Sequence, residues 1–203
     1  MKRLGVLLSG RGSNFEAIAK NIRAGVLEAE IAVVISNRPD APGLEIARQL
    51  GLKAVALSSK GVGREEFDQQ VAAILDEHQV DLVVLAGYMR LLSGAFVRRY
   101  PLRIVNIHPS LLPAFPGLDA QHQAFDYGVK VAGCTAHFVD EHLDSGPIIL
   151  QSAVPVVEAD TAESLSARIL VEEHRIYTEA IRLVLFGRWN LEGRRVVMQT
   201  DVN

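Results

Sequence analysis

The chain has 203 residues, of which 49% are hydrophobic and 22% charged, and its formal net charge at pH 7 is −3. That size and composition fit one well-packed globular domain. No long basic run is present, which argues against a nucleic-acid footprint. No apolar run approaches the roughly 20 residues that a membrane-spanning helix needs. We therefore expect neither nucleic-acid nor membrane partners.

Two further features concern the cellular compartment. The N-terminal "MKRLGVLLSG" has an apolar part of only about five residues, shorter than the apolar region of a secretory signal, and it predicts a buried first strand instead. The single cysteine, Cys134, excludes an internal disulfide and a cysteine-built zinc site. We expect a cytoplasmic protein that is a monomer or a weak homodimer.

In the first half, short apolar runs alternate with amphipathic stretches. The runs predicted as strands are "LGVLL" (4–8), "IAVVIS" (31–36), "LKAVAL" (52–57), "DLVVLAG" (81–87) and "RIVNIH" (103–108). Nearly continuous hydrophobicity is typical of strands buried on both faces, and the spacers are long enough for helices, so the pattern predicts a parallel α/β sheet. In one spacer, Phe67, Val71, Ile74 and Leu75 form a single stripe, which predicts a helix over 64–78.

The pattern changes after residue 128. The longer runs "VKVAGCTAHFVD" and "PIILQSAVPVV", joined by "EHLDSG", predict an antiparallel addition to the sheet. We expect a last helix over about 161–186, where Asp160 and Glu163 have the spacing of a capping box. The tail, with Trp189 and "RRVVMQ", predicts a closing strand or hairpin.

A glycine-containing loop, "SGRGSNFEAI" (9–18), follows the first strand and opens a helix. Glycine lets the backbone approach a ligand, and free N–H groups at a helix start favour an anion, usually phosphate. Ser13 and Asn14 could add donors. The loop is neither a Walker motif nor a dinucleotide fingerprint, because no Gly-Lys follows and Phe15 occupies the third glycine position. A tight turn capped by Ser13 or Asn14 is the alternative.

The segment "IVNIHPSLLPAFPG" (104–117) places two polar residues in an apolar strand. Because side chains alternate along a strand, Asn106 and His108 point to one face. They lie at the carboxyl end of a parallel strand, where ligands bind in open α/β sheets. Pro109 ends the hydrogen-bond ladder and frees the following loop to wrap a substrate. A buried histidine satisfied by backbone carbonyls is the alternative.

The turn "VDEHLDSGP" (139–147) is rich in acidic residues. It lacks the spacing of an EF-hand, and no HExxH motif occurs, so a solvated acidic turn is the simplest interpretation for Asp140, Glu141 and His142. Asp144 differs, because the Ser-Gly-Pro that follows fixes the turn and could aim the carboxylate inward. An aspartate beside a histidine favours the imidazolium form.

On the last predicted helix, Glu173 falls on the apolar stripe of Ile169, Ile176, Ala180 and Leu183. An acid on a buried face needs partners. The hydroxyls of a bound sugar, an amine, or a nearby arginine of the same chain would each serve.

These motifs together resemble the folate-dependent formyltransferases over about residues 2–187. "NIHPSLLP" followed by "LDSGPI" is specific for that group, and "SGRGSN" indicates the phosphoribosylglycinamide formyltransferase family within it. The other motifs that carry the resemblance are "ISNRPDAPGLEIA", "VVLAGYMRLLS" and "GCTAHFVDEHLDSGPII".

The resemblance implies a single α/β domain with a Rossmann-like, mostly parallel twisted sheet, helices on both faces and an antiparallel addition in the C-terminal half. It also implies a phosphate-binding half at about 1–100, a catalytic and folate-binding half at about 101–187, and a tail at 188–203. The implied activity is formyl transfer from 10-formyltetrahydrofolate to the amine of N1-(5-phosphoribosyl)glycinamide in de novo purine biosynthesis, with small-molecule substrates and no metal.

The resemblance also assigns roles. Asn106, His108 and Asp144 match the catalytic residues. Gly12, Ser13 and Asn14 match the segment that holds the substrate phosphate, and Glu173 matches a residue that contacts the ribonucleotide. The residues that match or lie near the folate pocket are Arg64, Met89, Arg90, Leu91, Leu92, Asn106, Asp140 and Asp144.

Three rival interpretations remain. A methionyl-tRNA formyltransferase would need an extra basic C-terminal domain, and roughly 16 residues follow the last helix. A formyltetrahydrofolate hydrolase usually carries an N-terminal regulatory domain, whereas the first strand here starts at about residue 3. A non-catalytic nucleotide-binding module would leave the Asn106, His108 and Asp144 set unexplained.

Overall fold

A computed structural model describes residues 1–199, and the chain divides into two compact units, Met1–Asn106 and the part from Ile107 onward. The first unit contains β1 (Lys2–Leu8), α1 (Ser13–Arg23), β2 (Ala29–Ser36), α2 (Pro42–Gln49), β3 (Ala54–Ala56), α3 (Arg64–Glu77), β4 (Leu82–Leu85), α4 (Gly94–Arg99) and most of β5 (Ile104–His108). The second contains α5 (Ala120–Tyr127), β6 (Val131–Phe138), β7 (Ile148–Pro155), α6 (Ala162–Phe186), β8 (Trp189–Glu192) and β9 (Arg195–Met198). Whether the units carry the functions predicted for the two halves stays a prediction.

The first unit contains a parallel sheet with strand order β3-β2-β1-β4-β5. Its central strand, β1, is buried from Leu4 to Leu8. Such a strand has no solvated face, which explains why its sequence is continuously apolar rather than alternating. The predicted parallel arrangement and the helix predicted over 64–78 are confirmed. The edge strand β3 is shorter than the predicted 52–57, because it pairs on one side only, along Val34–Ser36 of β2.

The second unit contains the antiparallel addition. β6 and β7 pair antiparallel, with Thr135 opposite Gln151. β9 pairs parallel with β7 and antiparallel with β8, so the tail forms the predicted hairpin. Helix α6 packs against β6 and β7. Within residues 1–199, none of the helices has the length and apolar character required to cross a bilayer.

Helix α6 begins one residue later than the predicted capping box, so that prediction was wrong. Its N-cap is Thr161, whose hydroxyl accepts from the Ser164 backbone N–H at 3.2 Å, while the Ser164 hydroxyl accepts from the Thr161 N–H at 3.0 Å. Asp160 instead binds Arg168 through both carboxylate oxygens, at 2.7 and 2.9 Å. Hydrogen bonds from Arg168 lower the pKa of Asp160, followed by the backbone N–H of Val157.

We expect Thr161→Ala to lower the free energy of unfolding by about 1 kcal/mol, because one N-cap hydrogen bond is lost. For a chain of this size that corresponds to a Tm about 2–4 °C lower. Thr161→Ser keeps the hydroxyl and serves as the matched control. Thermal unfolding followed by circular dichroism measures both, and equal Tm values for the two variants would contradict this capping arrangement.

Candidate active site

The site is built around His108, the last residue of β5, which is 4% exposed. Its Nε2 lies 2.9 Å from the Phe115 carbonyl oxygen, and its Nδ1 lies 3.4 Å from Asp144 Oδ2. A carbonyl oxygen only accepts hydrogen bonds, so Nε2 carries a proton. The ring is thus held between a carbonyl and a carboxylate, and a proton on each nitrogen would satisfy both neighbours.

Asp144 lies in the turn between β6 and β7 and has a positive φ of 46°, unusual for a residue other than glycine. The Phe138 N–H donates to the Pro147 carbonyl at 2.9 Å and closes the base of this turn. Gly146 is required there, because a Cβ at that position would overlap the Phe138 carbonyl oxygen. The carboxylate points inward, with a side chain 9% exposed, and accepts from the Gly117 N–H at 2.8 Å.

The loop after β5 is fastened to the antiparallel strands by Thr135, a buried polar residue of β6. Its hydroxyl donates to the Ser110 carbonyl at 2.7 Å and accepts from the Leu112 N–H at 3.0 Å. The Gln151 amide donates to the Leu112 carbonyl at 2.9 Å. Sequence reasoning missed Thr135 and Gln151, although a polar residue within an apolar strand was an available signal.

A second histidine, His137, lies beside Asp144 and was also missed. It is 2% exposed, with Nδ1 2.7 Å from the Phe138 carbonyl oxygen and Nε2 3.9 Å from Asp144 Oδ1. Burial lowers the pKa of His137, although the Phe138 carbonyl and the Asp144 carboxylate oppose that shift. The neutral form of His137 is therefore favoured, and its signal in the sequence was a histidine inside a strand.

Two other residues predicted for the site are Asn106 and Asp140. Asn106 lies two residues earlier in β5, half-buried, and pairs in register with Leu85 of β4. Asp140 accepts from the His142 N–H at 2.9 Å, so one of its oxygens stabilises its own turn. Among residues 1–199, no group of three His, Cys, Asp or Glu side chains is arranged to hold a metal ion.

A pocket of about 350 Å³ lies beside Asp144 in the second unit. Its lining is mostly apolar and consists of Leu112, Pro113, Pro116, Leu143, Asp144, Ser145, Gly146, Ile148 and Arg194. The Arg194 guanidinium donates to the Ser145 carbonyl and so ties the β8–β9 hairpin to the turn that carries Asp144. Of this lining, only Asp144 was predicted from the sequence as a site residue.

The glycine loop of the first unit starts α1 at Gly12, which has a φ of 80° and therefore favours glycine. No side chain caps the helix, so the alternative that Ser13 or Asn14 is a plain cap was wrong. The Gly43 N–H donates to the Gly10 carbonyl at 3.1 Å and fixes the loop against the start of α2. A helix start without a side-chain cap can bind an anion through its first N–H groups.

The segment predicted for the folate pocket has an unusual surface. Met89 is 68% exposed and Leu91 51% exposed, whereas Leu92 is half-buried. The Arg90 guanidinium lies 4.7 Å from the centre of the Phe67 ring. Arg64 is exposed as the first residue of α3. This part of the first unit thus combines exposed apolar side chains with positive charge.

Glu173 is buried on α6, on the apolar face where the sequence placed it. Burial, and then the charge of Glu173, raises the pKa of the Cys134 thiol to about 12.

Comparison with known proteins identifies the family. The Formyl transferase family matches residues 2–181. The phosphoribosylglycinamide formyltransferase of Bacillus subtilis is 44% identical over 186 residues, which cover 91% of this chain and 95% of that protein. The trifunctional purine biosynthetic protein adenosine-3 of Bos taurus is 44% identical over 201 residues, but this chain spans only 20% of its length.

The fold agrees as well. The crystal structure of glycinamide ribonucleotide transformylase 1 from Symbiobacterium toebii is 56% identical and superposes with a TM-score of 0.95, covering 98% of this chain and 95% of that one. The α/β fold class with a mostly parallel sheet and antiparallel strands is therefore confirmed, as is the predicted family. The chain belongs to the formyl transferase family and is similar to phosphoribosylglycinamide formyltransferases over nearly its whole length.

Proposed function

We propose that the protein transfers the formyl group of 10-formyltetrahydrofolate to the amine of N1-(5-phosphoribosyl)glycinamide. The products are the formylglycinamide ribonucleotide and tetrahydrofolate, and the step belongs to de novo purine biosynthesis. The observation that carries the proposal is the buried pair of His108 and Asp144, 3.4 Å apart, at the end of β5 in a chain of this family.

The reaction requires hydrogen-bond donors to the oxygen of the formyl group. The amine attacks the formyl carbon, a new C–N bond forms, and the carbonyl oxygen becomes an oxyanion before the bond to the folate nitrogen breaks. The Asn106 amide and the Nε2–H of His108 are the donors for that oxygen, and one preorganised donor lowers the barrier by about 3–4 kcal/mol. In the structure this N–H donates to the Phe115 carbonyl, so the formyl oxygen must take the place of that carbonyl.

Asp144 has two tasks in this scheme. Its carboxylate beside Nδ1 keeps the imidazole oriented while Nε2 changes partner, and it stabilises the positive charge on the ring. A proton must also pass from the attacking amine to the departing folate nitrogen. His108, or a water molecule ordered beside Asp144, is placed to carry that proton.

The two substrates bind two different surfaces, the start of α1 and the segment of residues 89–92. In this proposal, the N–H groups of Gly12, Ser13 and Asn14 bind the phosphate, and Glu173 accepts from the ribose hydroxyls. The flat folate rings lie on the apolar side chains of residues 89–92, and Arg64 and Asp140 are assigned to the same substrate. Holding two reactants aligned can supply roughly 7–11 kcal/mol of the barrier reduction.

The proposed reaction requires small-molecule substrates and no metal. It also suits a reducing compartment, which the single buried cysteine favours. We infer a cytoplasmic location from the proposed reaction and from the buried free cysteine.

The first test measures tetrahydrofolate release from 10-formyltetrahydrofolate by the purified protein, with and without glycinamide ribonucleotide. We expect release only when the ribonucleotide is present, because the amine is the acceptor. Release in its absence would identify a hydrolase. No release with either mixture, from a folded protein, would support a non-catalytic binding module.

His108→Ala should reduce kcat by at least about 100-fold, because a preorganised donor and proton carrier is lost. Binding of the ribonucleotide, measured by calorimetry, should be unchanged. His78→Ala is the matched control, since that histidine lies at the end of α3 and bonds the Ile74 carbonyl. Near-normal turnover in His108→Ala would contradict the assignment.

Glu173→Gln should raise KM for the ribonucleotide about tenfold, since a charged acceptor for the ribose is lost. KM for the folate should stay within about twofold of the wild type. Glu179→Gln removes the same charge from the same helix, where Glu179 pairs with Arg175, and should leave both values unchanged. A larger effect on folate than on ribonucleotide would contradict the proposed role of Glu173.

A further inference from the structure

The segment from Tyr88 to Ser93 is fastened at both ends within the first unit. Near its start, the Met89 N–H donates to the Ser9 hydroxyl at 2.7 Å. At its end, the Ser93 N–H donates to Asp68 Oδ2 at 2.6 Å. Between these two points lie the exposed side chains of Met89 and Leu91. The shape of the presented surface therefore depends on Ser9 and Asp68.

Asp68 is the more unusual of the two residues. It belongs to α3 but is 2% exposed, and an aspartate is rarely buried unless it is paired. Ser93, which it binds, is also the N-cap of α4 and accepts from the Phe96 N–H at 3.2 Å. One carboxylate oxygen thus fixes the residue at which the segment ends and the next helix begins.

The second oxygen of Asp68, Oδ1, is buried without a hydrogen-bond partner in the protein. Within residues 1–199, three buried atoms of this region have no hydrogen-bond partner in the protein: Asp68 Oδ1, Tyr88 Oη and Arg90 Nε. They are an acceptor, a hydroxyl and a charged donor, so their hydrogen-bonding properties are complementary. Burial and then the Asp68 charge raise the pKa of Tyr88, so its hydroxyl keeps its proton and can donate.

The Arg90 side chain is restrained by Val62 and Phe67. Its Nη2 donates to the Val62 carbonyl at 3.1 Å, and its guanidinium lies over the buried ring of Phe67, the residue before Asp68. A desolvated cation over an aromatic face is favourable. Both the backbone end of the segment and its charged side chain are therefore held by α3 and the turn before it.

We propose that Asp68 is a positioning residue for folate binding, acting through Ser93, Tyr88 and Arg90. One oxygen fixes the backbone at Ser93, and the other receives the Tyr88 hydroxyl and the Arg90 Nε–H when the segment closes on its ligand. The inference rests on the proposed function, because it assumes that residues 89–92 contact the folate.

A residue with this task affects binding rather than chemistry. Loss of the Asp68 charge would let residues 88–93 adopt other conformations, and the folate would have to select the competent one. The chemistry at His108 would proceed normally once both substrates are bound. A split between KM and kcat is therefore the expected signature, which a general loss of stability would not produce.

The experiment is steady-state kinetics of the full chain with both substrates. For Asp68→Asn we expect KM for 10-formyltetrahydrofolate to rise about tenfold, the loss of one charge-assisted hydrogen bond. Its kcat and its KM for the ribonucleotide should stay within about twofold of the wild type. Tyr88→Phe should raise the folate KM about threefold, in line with one neutral hydrogen bond. Glu77→Gln, an exposed acid of the same helix, is the control and should change nothing.

Unchanged folate KM in folded Asp68→Asn, or equal losses in kcat and both KM values, would overturn the inference. If Asp68→Asn does not fold, Tyr88→Phe decides, and a wild-type folate KM in that variant overturns it. A wild-type protein without turnover would reject the proposed function. Calorimetric titration with 10-formyltetrahydrofolate would then still test Asp68, and a protein that binds no folate would reject both.

Discussion

The site depends on one carboxylate, that of Asp144, whose side chain is nearly removed from water. A buried carboxylate is unstable unless donors replace its lost hydration. The oxygens of Asp144 meet the imidazole of His108 and the N–H of Gly117, and His137 lies close by. These contacts join the end of β5, the loop that follows it and the β6–β7 turn. One carboxylate therefore holds the end of a strand, a loop and a turn at the same point.

The first unit applies the same physics with Asp68. Irregular segments leave backbone N–H groups without helical or sheet partners, and a buried carboxylate can satisfy them strongly. Asp68 binds the N–H of Ser93 as Asp144 binds the N–H of Gly117. Asp68 belongs to helix α3 and Asp144 to the β6–β7 turn, so in each unit the segment is held by an acid from another part of the same unit.

Much of this fold follows from residue patterns alone. Continuous apolar runs indicated β1, β2, β4 and β5, because a strand buried on both faces is apolar at every position. The apolar stripe through Phe67 and Val71 indicated α3, because a helix buried on one side is apolar at every third or fourth position. The start of α6 was misplaced by one residue. Asp160 and Thr161 are both good N-caps, and the choice is made by Arg168, which binds Asp160 and leaves Thr161 to cap the helix.

The site could be predicted from the sequence only in part. The segments with His108 and Asp144 carry recognisable motifs, whereas the Phe115 carbonyl and the Gly117 N–H are backbone atoms that any residue possesses. Their positions depend on the conformation of the loop, which Thr135 and Gln151 hold through hydrogen bonds to Leu112. His137 was missed because a histidine within an apolar strand does not indicate which residue its side chain will contact.

In the proposed reaction, those backbone contacts bear directly on catalysis. The Nε2–H of His108 already donates to a carbonyl oxygen, that of Phe115. A substrate carbonyl that replaces it finds the ring oriented by Asp144, so little reorganisation is needed when negative charge develops. Exchange of one carbonyl for another also avoids leaving a buried donor unpaired, which would cost about 1–3 kcal/mol. The loop thus keeps the donor ready at the position where the oxyanion forms.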